Sequence, residues 1–120
     1  GWITTFNEHA IVSENRCTKV NSTLPPDVGA LFGCAVTTGF GVIENNANLK
    51  IGESVVVFGA GGIGLNIIQA AAMVSGNPII AVDIHDNRLH LAKSLGATHI
   101  INNSSNQAFE TINKILFHKN

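Results

Sequence analysis

The chain has 120 residues, of which 45% are hydrophobic and 12% are charged, so it is too apolar for a disordered segment and long enough for one domain at most. Seven basic and eight acidic residues give a net charge of −1 with no basic stripe, which argues against a nucleic-acid partner. Two cysteines allow at most one disulfide, which excludes a disulfide scaffold.

Neither a membrane span nor a signal peptide is expected. The apolar stretch at residues 63–74 is interrupted by Asn66 and Gln69 and is too short to span a bilayer. Residues 1–20 carry charges throughout, unlike a signal peptide. We therefore expect a cytoplasmic protein with no membrane partner. The first residue is Gly1 rather than Met, so we expect an excised or trimmed segment.

The first half of the chain predicts short strands followed by a helix. Residues 1–20 alternate loosely between polar and apolar, which predicts one or two strands, and residues 21–27 form a turn. Residues 28–48 predict one broken helix with glycines that allow close packing. The apolar residues of the first stretch are Trp2, Ile3, Phe6, Ala10, Ile11, Val12 and Val20.

The second half predicts a β-α-β-α-β-α order. Residues 55–58 are a short apolar run that suits a strand buried on both faces, and a nearly all-apolar helix follows. That helix ends near Gly76, which is expected to take the left-handed cap position. Residues 78–83 predict a second buried strand. The alternation favours an α/β parallel sheet with right-handed crossovers.

Two further helices and a third strand complete this order. Asp86 is expected to cap a helix that aligns Leu89, Ala92 and Leu95 and closes at Gly96. Residues 98–101 predict the third strand. A last helix is indicated by helical spacing of the apolar residues Ala108, Phe109, Ile112, Ile115 and Leu116.

A glycine-rich turn, Gly59-Ala60-Gly61-Gly62-Ile63-Gly64, lies between the first buried strand and its helix. Gly59 permits the tight turn, Gly61 leaves room for a pyrophosphate, and Gly64 lets helix and strand pack closely. The helix N-terminus offers N–H donors and a positive dipole end to phosphates. The pattern predicts a dinucleotide-binding site.

The acid that completes this pattern is Asp83, nineteen residues after Gly64 at the end of the second strand. Its carboxylate can accept hydrogen bonds from the adenosine ribose hydroxyls and would repel a 2′-phosphate, which favours NAD over NADP. Arg88 lies nearby and could instead accept a 2′-phosphate, or it is simply a solvated helix residue.

Residues 31–41 (LFGCAVTTGFG) resemble the medium-chain, zinc-dependent alcohol dehydrogenases. The resemblance continues through residues 50–59 (KIGESVVVFG), 80–83 (IAVD) and 92–98 (AKSLGAT), in the same order as in that family. Residues 5–9 (TFNEH) are similar to a Thr-Phe-(Ala/Ser)-Glu-Tyr stretch of the family, with histidine in place of tyrosine. The resemblance covers nearly the whole chain.

The resemblance implies residue roles. Cys34 matches the third ligand of the catalytic zinc, and Thr38 matches a residue that lies against the nicotinamide. Ile63 matches the apolar residue that backs the same ring, and Arg88 matches a basic position at the adenosine ribose. The cofactor-binding residues are thus Thr38, Gly59, Gly61, Gly62, Ile63, Gly64, Asp83 and Arg88.

Several parts of the family pattern are absent from the sequence. Catalytic zinc needs three protein ligands, and Cys34 is the only residue in a matching motif. Cys17 matches no ligand, and the five histidines, His9, His85, His90, His99 and His118, lie in no ligand spacing. Only strands 3-2-1 of the six-stranded dinucleotide-binding (Rossmann) fold are indicated. We expect no catalytic residue in this segment.

The expected organisation has three parts. Residues 1–27 are the remnant of a catalytic (GroES-like) domain, residues 28–53 a connecting helical segment, and residues 54–120 the first half of the NAD-binding domain. The resemblance implies hydride transfer between a small alcohol or aldehyde and NAD, with zinc, in a longer parent that forms a homo-oligomer. Two alternatives stay open: a zinc-free, quinone-reductase-like relative, and a non-catalytic nucleotide-binding module or gene relic.

Overall fold

The computed structural model describes residues 7–117. Trp2, Ile3 and Phe6 of the predicted N-terminal strands, and also His118, lie outside the described residues. The chain divides into two compact units, Gly1–Ala30 and Leu31–Asn120. The three-part organisation predicted from the sequence stays a prediction.

The first unit has little regular structure within its described residues. A single turn of 3-10 helix spans Glu14–Arg16, and no strand forms within residues 7–20. The predicted strand is therefore wrong for that stretch. Ile11 and Val12 are exposed there, and no neighbouring strand within residues 7–30 is available to pair with their backbone. A strand is not stable without such a partner.

Helix α1 spans Pro26–Ala47 and agrees with the broken helix predicted for residues 28–48. Its α-helical segments, Pro26–Leu31 and Thr37–Gly41, alternate with wider π-helical turns at Phe32–Val36 and Val42–Ala47. The helix ends at Asn48, which takes the left-handed conformation with φ 49°. This segment contains several glycines, which allow the irregular helical winding.

By length and composition, α1 could cross a membrane, in contrast to the shorter stretch at residues 63–74. Part of the helix packs within the second unit. Gly39 and Ile43 are buried, and Ile43 belongs to the main hydrophobic core of the second unit. Residues 31–47 of the helix, which belong to the second unit, therefore form part of a layer beside the sheet.

Three parallel strands form the sheet: β1 (Val55–Phe58), β2 (Ile79–Asp83) and β3 (His99–Asn102), in the order β1-β2-β3. All five residues of β2 are buried because this strand has a neighbour on each side and a layer on each face. The predicted α/β class with a parallel sheet is confirmed.

The remaining helices are α2 (Gly62–Met73), α3 (Asp86–Ser94) and α4 (Ala108–Phe117). Alternate residues of β2 point to opposite faces of the sheet and enter two separate cores. Ile79 and Ala81 pack in one core with residues of α1, α2 and α3, whereas Ile80 and Val82 pack with α4 in the other. The sheet is thus covered on both faces.

The end of α2 differs from its prediction. Ser75, not Gly76, takes the left-handed position, with φ 58°. The N–H of Gly76 donates to the carbonyl of Ala71 (2.9 Å), and a Cβ at Gly76 would lie 3.0 Å from Leu49 Cδ2 and 3.1 Å from the Ala71 oxygen. Glycine suits this position because of the close approach of these atoms rather than because of its φ angle.

The start of α3 also differs. Asp86 is the first residue of the helix rather than its cap, and the preceding residue is His85. The Asp86 carboxylate instead accepts a hydrogen bond from Asn102 Nδ2 (2.7 Å) at the end of β3. The other end agrees with the prediction: Gly96 follows the helix with φ 118°.

Close contact between α1 and α2 generates a stability prediction. A Cβ at Gly39 would lie 2.5 Å from Asn66 Cβ and 2.9 Å from Ile67 N. We expect Gly39→Ala to separate the helices and to lower the free energy of unfolding by about 2 kcal/mol in urea titrations. Gly33→Ala is the matched control, because no atom lies within 4 Å of its added Cβ. It should raise stability by about 0.5–1 kcal/mol. Equal effects of the two changes would contradict this packing.

Candidate dinucleotide site

The glycine turn after β1 is shaped by two glycines. Gly59 has φ 91°, and its N–H donates to the carbonyl of Val82 (2.7 Å). A Cβ at Gly64 would overlap the carbonyl oxygen of Gly59. Gly61 differs: its backbone is extended (φ −82°, ψ −169°), and no atom lies within 4 Å of an added Cβ. The protein does not itself require glycine at Gly61, so this position leaves open space beside the turn.

Helix α2 begins directly at this turn with unpaired donors. The first hydrogen bond of the helix is donated by Leu65 N to Gly61 O (2.8 Å). Among the described residues, the N–H groups of Gly62, Ile63 and Gly64 have no backbone or side-chain acceptor. These groups, together with the positive end of the helix dipole, can bind an anion such as a phosphate.

Asp83 connects the glycine turn to the loop after β2. Its Oδ2 accepts a hydrogen bond from Ala60 N (2.7 Å), and its Oδ1 accepts from Ile84 N (2.8 Å) and His85 N (2.9 Å). The Arg88 guanidinium lies 3.9 Å from Oδ2. Asp83 is the one buried charged residue of the described chain. Three backbone donors make this burial possible.

These contacts set the charge state of Asp83. Burial by itself raises the pKa of the carboxyl group. The three backbone N–H groups, of which that of His85 lowers the pKa most, and the positive charge of Arg88 together outweigh the effect of burial. The pKa of Asp83 is therefore lower than its ordinary value, and the group carries a negative charge at neutral pH.

Two adjoining depressions lie at the carboxyl edge of the sheet. The larger, of about 610 Å³, is called here the main cleft, and the smaller, of about 300 Å³, the side pocket. The main cleft is lined by Ala35, Val57, Phe58, Gly59, Gly61, Gly62, Ile63, Gly64, Ile67, Asp83 and Arg88. The side pocket is lined by Phe58, Gly59, Val82, Asp83, Ile84, His85, Arg88 and Asn103.

Seven of the eight predicted cofactor residues therefore line one cleft. Thr38 does not, and neither does the predicted zinc ligand Cys34, although their neighbour Ala35 does. Cys34 and Thr38 are both exposed, and Cys34 Sγ lies 3.8 Å from Thr38 Oγ1. Within residues 7–117, no group of three His, Cys, Asp or Glu side chains could hold a metal ion.

Sequence reasoning missed several lining residues, among them Phe58 and His85. Phe58 directly precedes Gly59 at the carboxyl end of β1, and His85 lies two residues beyond Asp83. Ligands of open α/β sheets bind outside the carboxyl ends of the strands, so position along the chain was the signal that could have indicated both residues.

The sequence of the chain is similar to those of known dehydrogenases. Residues 62–119 match the sequence model of the family described as zinc-binding dehydrogenase. Curated proteins named S-(hydroxymethyl)glutathione dehydrogenase match as well, with 43% identity over 98 residues for Synechocystis sp. and 40% over 111 residues for Paracoccus denitrificans. Over the matched residues, this chain is similar to a segment of zinc-dependent alcohol dehydrogenases. The matches cover 82% and 91% of the chain but only 27% and 30% of those relatives.

Solved structures of alcohol dehydrogenases share the fold. Benzyl alcohol dehydrogenase from Acinetobacter calcoaceticus superposes with a TM-score of 0.75 at 39% identity, over 81% of this chain and 27% of the other. An alcohol dehydrogenase zinc-binding domain protein from Burkholderia ambifaria superposes with a TM-score of 0.74 at 38% identity, over 80% and 26%. The predicted Rossmann-type sheet is confirmed.

The contacts of Asp83 predict a pH-dependent stability. Because its pKa is lower in the folded chain than the ordinary 3.8, its contribution is present above about pH 4 and is lost as the pH falls through the folded value. Asp83→Asn should lower the free energy of unfolding by about 1–3 kcal/mol at neutral pH, because the amide is a poorer acceptor for three N–H groups. The difference in the free energy of unfolding between wild type and Asp83→Asn should become smaller in acid, where Asp83 is protonated.

The matched control is Asp86→Asn, which keeps an oxygen for Asn102 and removes an exposed carboxylate. We expect a change within about 0.5 kcal/mol for this control. Urea titrations of all three chains between about pH 3 and pH 7 make the comparison. A difference between wild type and Asp83→Asn that is the same at every pH would contradict the assigned role.

Proposed function

We propose that this chain is the NAD(H)-binding segment of a zinc-dependent alcohol dehydrogenase, whose whole chain transfers hydride between an alcohol or aldehyde and NAD. One observation carries the proposal: the free donors at the start of α2, the open space at Gly61 and the ionised carboxylate of Asp83 line the same cleft. The chemistry of this donor set suits a pyrophosphate next to a ribose.

In this proposal, the pyrophosphate accepts hydrogen bonds from Gly62, Ile63 and Gly64, and Gly61 leaves room for it. A carboxylate offers about four acceptor positions, and three of those on Asp83 are used by backbone N–H groups. The remaining position is on Oδ2, beside Arg88. We infer that one ribose hydroxyl donates there, and that this single bond anchors the adenosine.

The proposal assigns the remaining residues by resemblance. Thr38 and Ile63 lie against the nicotinamide, and Cys34 is one zinc ligand. When bound, the nicotinamide carries the hydride, and zinc in the whole protein polarises the alcohol oxygen. Cys34 alone does not make a zinc site, because such a site needs three protein ligands. No step through zinc is therefore assigned to the described residues.

The substrate class is a proposal of the same kind. The curated relatives are named for S-(hydroxymethyl)glutathione and one solved relative for benzyl alcohol, so we propose a primary alcohol or a related hydroxymethyl compound. We also propose a cytoplasmic location. The zinc-free alternative has less support, because Cys34 matches a zinc ligand by resemblance and the family that residues 62–119 match is described as zinc-binding dehydrogenase.

Gly61→Val tests the cofactor site without disturbing the fold. Valine tolerates the extended backbone at this position, and its Cβ meets no protein atom within 4 Å. We expect NADH affinity to fall by at least about tenfold, because the side chain occupies the space of the pyrophosphate, whereas the free energy of unfolding stays within about 0.5 kcal/mol. Calorimetric titration with NADH measures the first and urea titration the second. Unchanged NADH binding would refute the site.

Cofactor preference tests the role of Asp83. At about pH 8 we expect NADH to bind more tightly than NADPH, because the carboxylate is negatively charged where a 2′-phosphate would lie. Replacing Asp83 by Ser should reduce the preference. If wild type binds NADPH at least as tightly as NADH at that pH, the assignment of Asp83 is wrong.

The chain by itself is expected to hold no stoichiometric zinc and to lack alcohol dehydrogenase activity. One thiolate supplies a small part of the coordination energy of a zinc site. Elemental analysis of the purified chain and an ethanol-plus-NAD assay are the measurements. One tightly bound zinc per chain, or turnover above a no-protein control, would overturn this expectation.

Self-association is expected at the free edge of β1. The N–H groups of Val55 and Gly59 donate to the carbonyls of Pro78 and Val82, on the side of β2. Those of Val56 and Phe58 therefore point to the edge that has no partner strand among residues 7–117. We expect sedimentation at micromolar concentration to give dimers or larger species. Val56→Pro removes one edge donor and no bond to β2, and it should shift the chain toward monomer. A stable wild-type monomer would contradict this.

A further inference from the structure

A further cavity, called here the amino-edge cavity, lies at the opposite edge of the sheet from the dinucleotide site. Helix α2 begins after the carboxyl end of β1 and ends shortly before the start of β2, so its last turn is at the amino edge. Gly39 of α1 closely approaches Asn66 of α2. Further along both chains, Leu49 closely approaches Gly76, so the two helices run parallel and end side by side. The cavity, of about 250 Å³, lies between those ends.

The lining of the amino-edge cavity is mostly apolar. Six of its eight lining residues are hydrophobic, and two of these, Ile43 and Ala70, are buried. Ala70 contributes only a methyl group, which leaves space between the helices. The last turns of α1, Val42–Ala47, are wound as a π-helix, a form that is frequent at functional sites. Because pockets for drug-sized ligands have about 300–1,000 Å³, this smaller cavity suits a single ring or a short alkyl chain.

The side-chain charges around this cavity favour a cation. Glu44 is the one charged residue in its lining, and no basic group of residues 7–117 forms an ion pair with it. The Lys50 ammonium donates a hydrogen bond to Asn48 Oδ1 (2.6 Å) at the rim. Glu53 is also close, because its Oε2 accepts from the backbone N–H of Lys50 (2.7 Å). Two carboxylates therefore oppose one ammonium, and the local net charge is negative.

The backbone at the helix ends adds to this negative potential. The N–H groups of Asn48 and Leu49 both donate to the carbonyl of Ile43, and that of Lys50 donates to a side chain, so these donors do not reach the last carbonyls of α1. The loop after α1 is joined to the end of α2, because Gly52 N donates to Ser75 O (2.9 Å). The negative ends of two helix dipoles thus lie next to each other, where a cation is stabilised.

We propose that the amino-edge cavity binds a small organic cation, a primary ammonium on a single ring or a short alkyl chain. The apolar body of the ligand packs between Ile43 and Ala70, and its ammonium group donates to the Glu44 carboxylate. The half-buried ring of Phe40, which also lines the cavity, adds an aromatic surface to which a cation is attracted. Glu44 thus selects the charge of the ligand, and the space beside Ala70 selects its size. The dinucleotide cleft takes no part in this site, so the inference is independent of the proposed function.

The test uses two probes that share a cyclohexyl ring and carry opposite charges, cyclohexylammonium and cyclohexanecarboxylate. Amide chemical shifts of the chain are followed while each probe is added at about pH 7, where both probes are ionised. We expect saturable changes at Glu44, Asn48, Met73 and Val74 with cyclohexylammonium, and binding of cyclohexanecarboxylate that is weaker by about tenfold or more. Equal affinity for the two probes, or shifts confined to other residues, would overturn the inference.

Three variants separate the charge of the site from its shape. Glu44→Gln keeps the size of an exposed side chain and should weaken cyclohexylammonium binding by about fivefold. Glu110→Gln, the matched control, removes an exposed carboxylate on α4 and should leave this affinity unchanged. Ala70→Leu fills the cavity and should abolish binding, with urea titration reporting whether the variant is folded. If Glu44→Gln and Glu110→Gln bind the probe equally well, or if folded Ala70→Leu still binds it, no such cation site exists.

Discussion

The Asp83 carboxylate accepts hydrogen bonds from two separate loops, and the geometry of the cleft depends on this arrangement. One oxygen receives the N–H of Ala60 in the glycine turn, and the other receives two N–H groups that follow β2. Strands β1 and β2 are thereby joined beyond the last bond of their ladder. The same contacts keep the carboxylate ionised in a buried position, and an ionised acceptor forms stronger hydrogen bonds with a hydroxyl than a neutral one does.

Close backbone approach is the second constraint, and it determines where glycine is needed for structure. Gly64 brings α2 against the Gly59 carbonyl, Gly39 brings α1 against α2, and Gly96 brings the end of α3 toward Ala72. Gly61 lies in the same turn as Gly64, but a Cβ added there would meet no atom within 4 Å. One glycine motif therefore contains two kinds of position: those that the fold needs, and those with open space, Gly61 and Gly62, that suit a ligand.

The sequence predicted the structure best where the local residue pattern and the packing of the folded chain favour the same element. The apolar runs of β1 and β2 predict strands buried on both faces, and the glycine turn between β1 and α2 could be read directly. Residues 7–20 were misread because alternation predicts a strand only where a partner strand exists. The end of α2 was predicted incorrectly because Gly76 approaches Leu49, which is distant in sequence, while Ser75 takes the left-handed conformation. The start of α3 was predicted incorrectly because Asp86 bonds to Asn102, which is also distant in sequence, and does not cap the helix. His85 belongs to no motif, although its position two residues after Asp83, at the carboxyl end of β2, could have indicated it.

Amide chemical shifts during titration of the chain with NADH test most directly whether a dinucleotide binds at the start of α2. We expect the largest changes at Gly61, Gly62, Ile63 and Gly64, with smaller changes at residues 84–88 next to Asp83. The proposed dinucleotide site would be contradicted if these amides did not move while residues around the separate pocket of about 250 Å³ between α1 and α2, such as Phe40 and Met73, shifted instead.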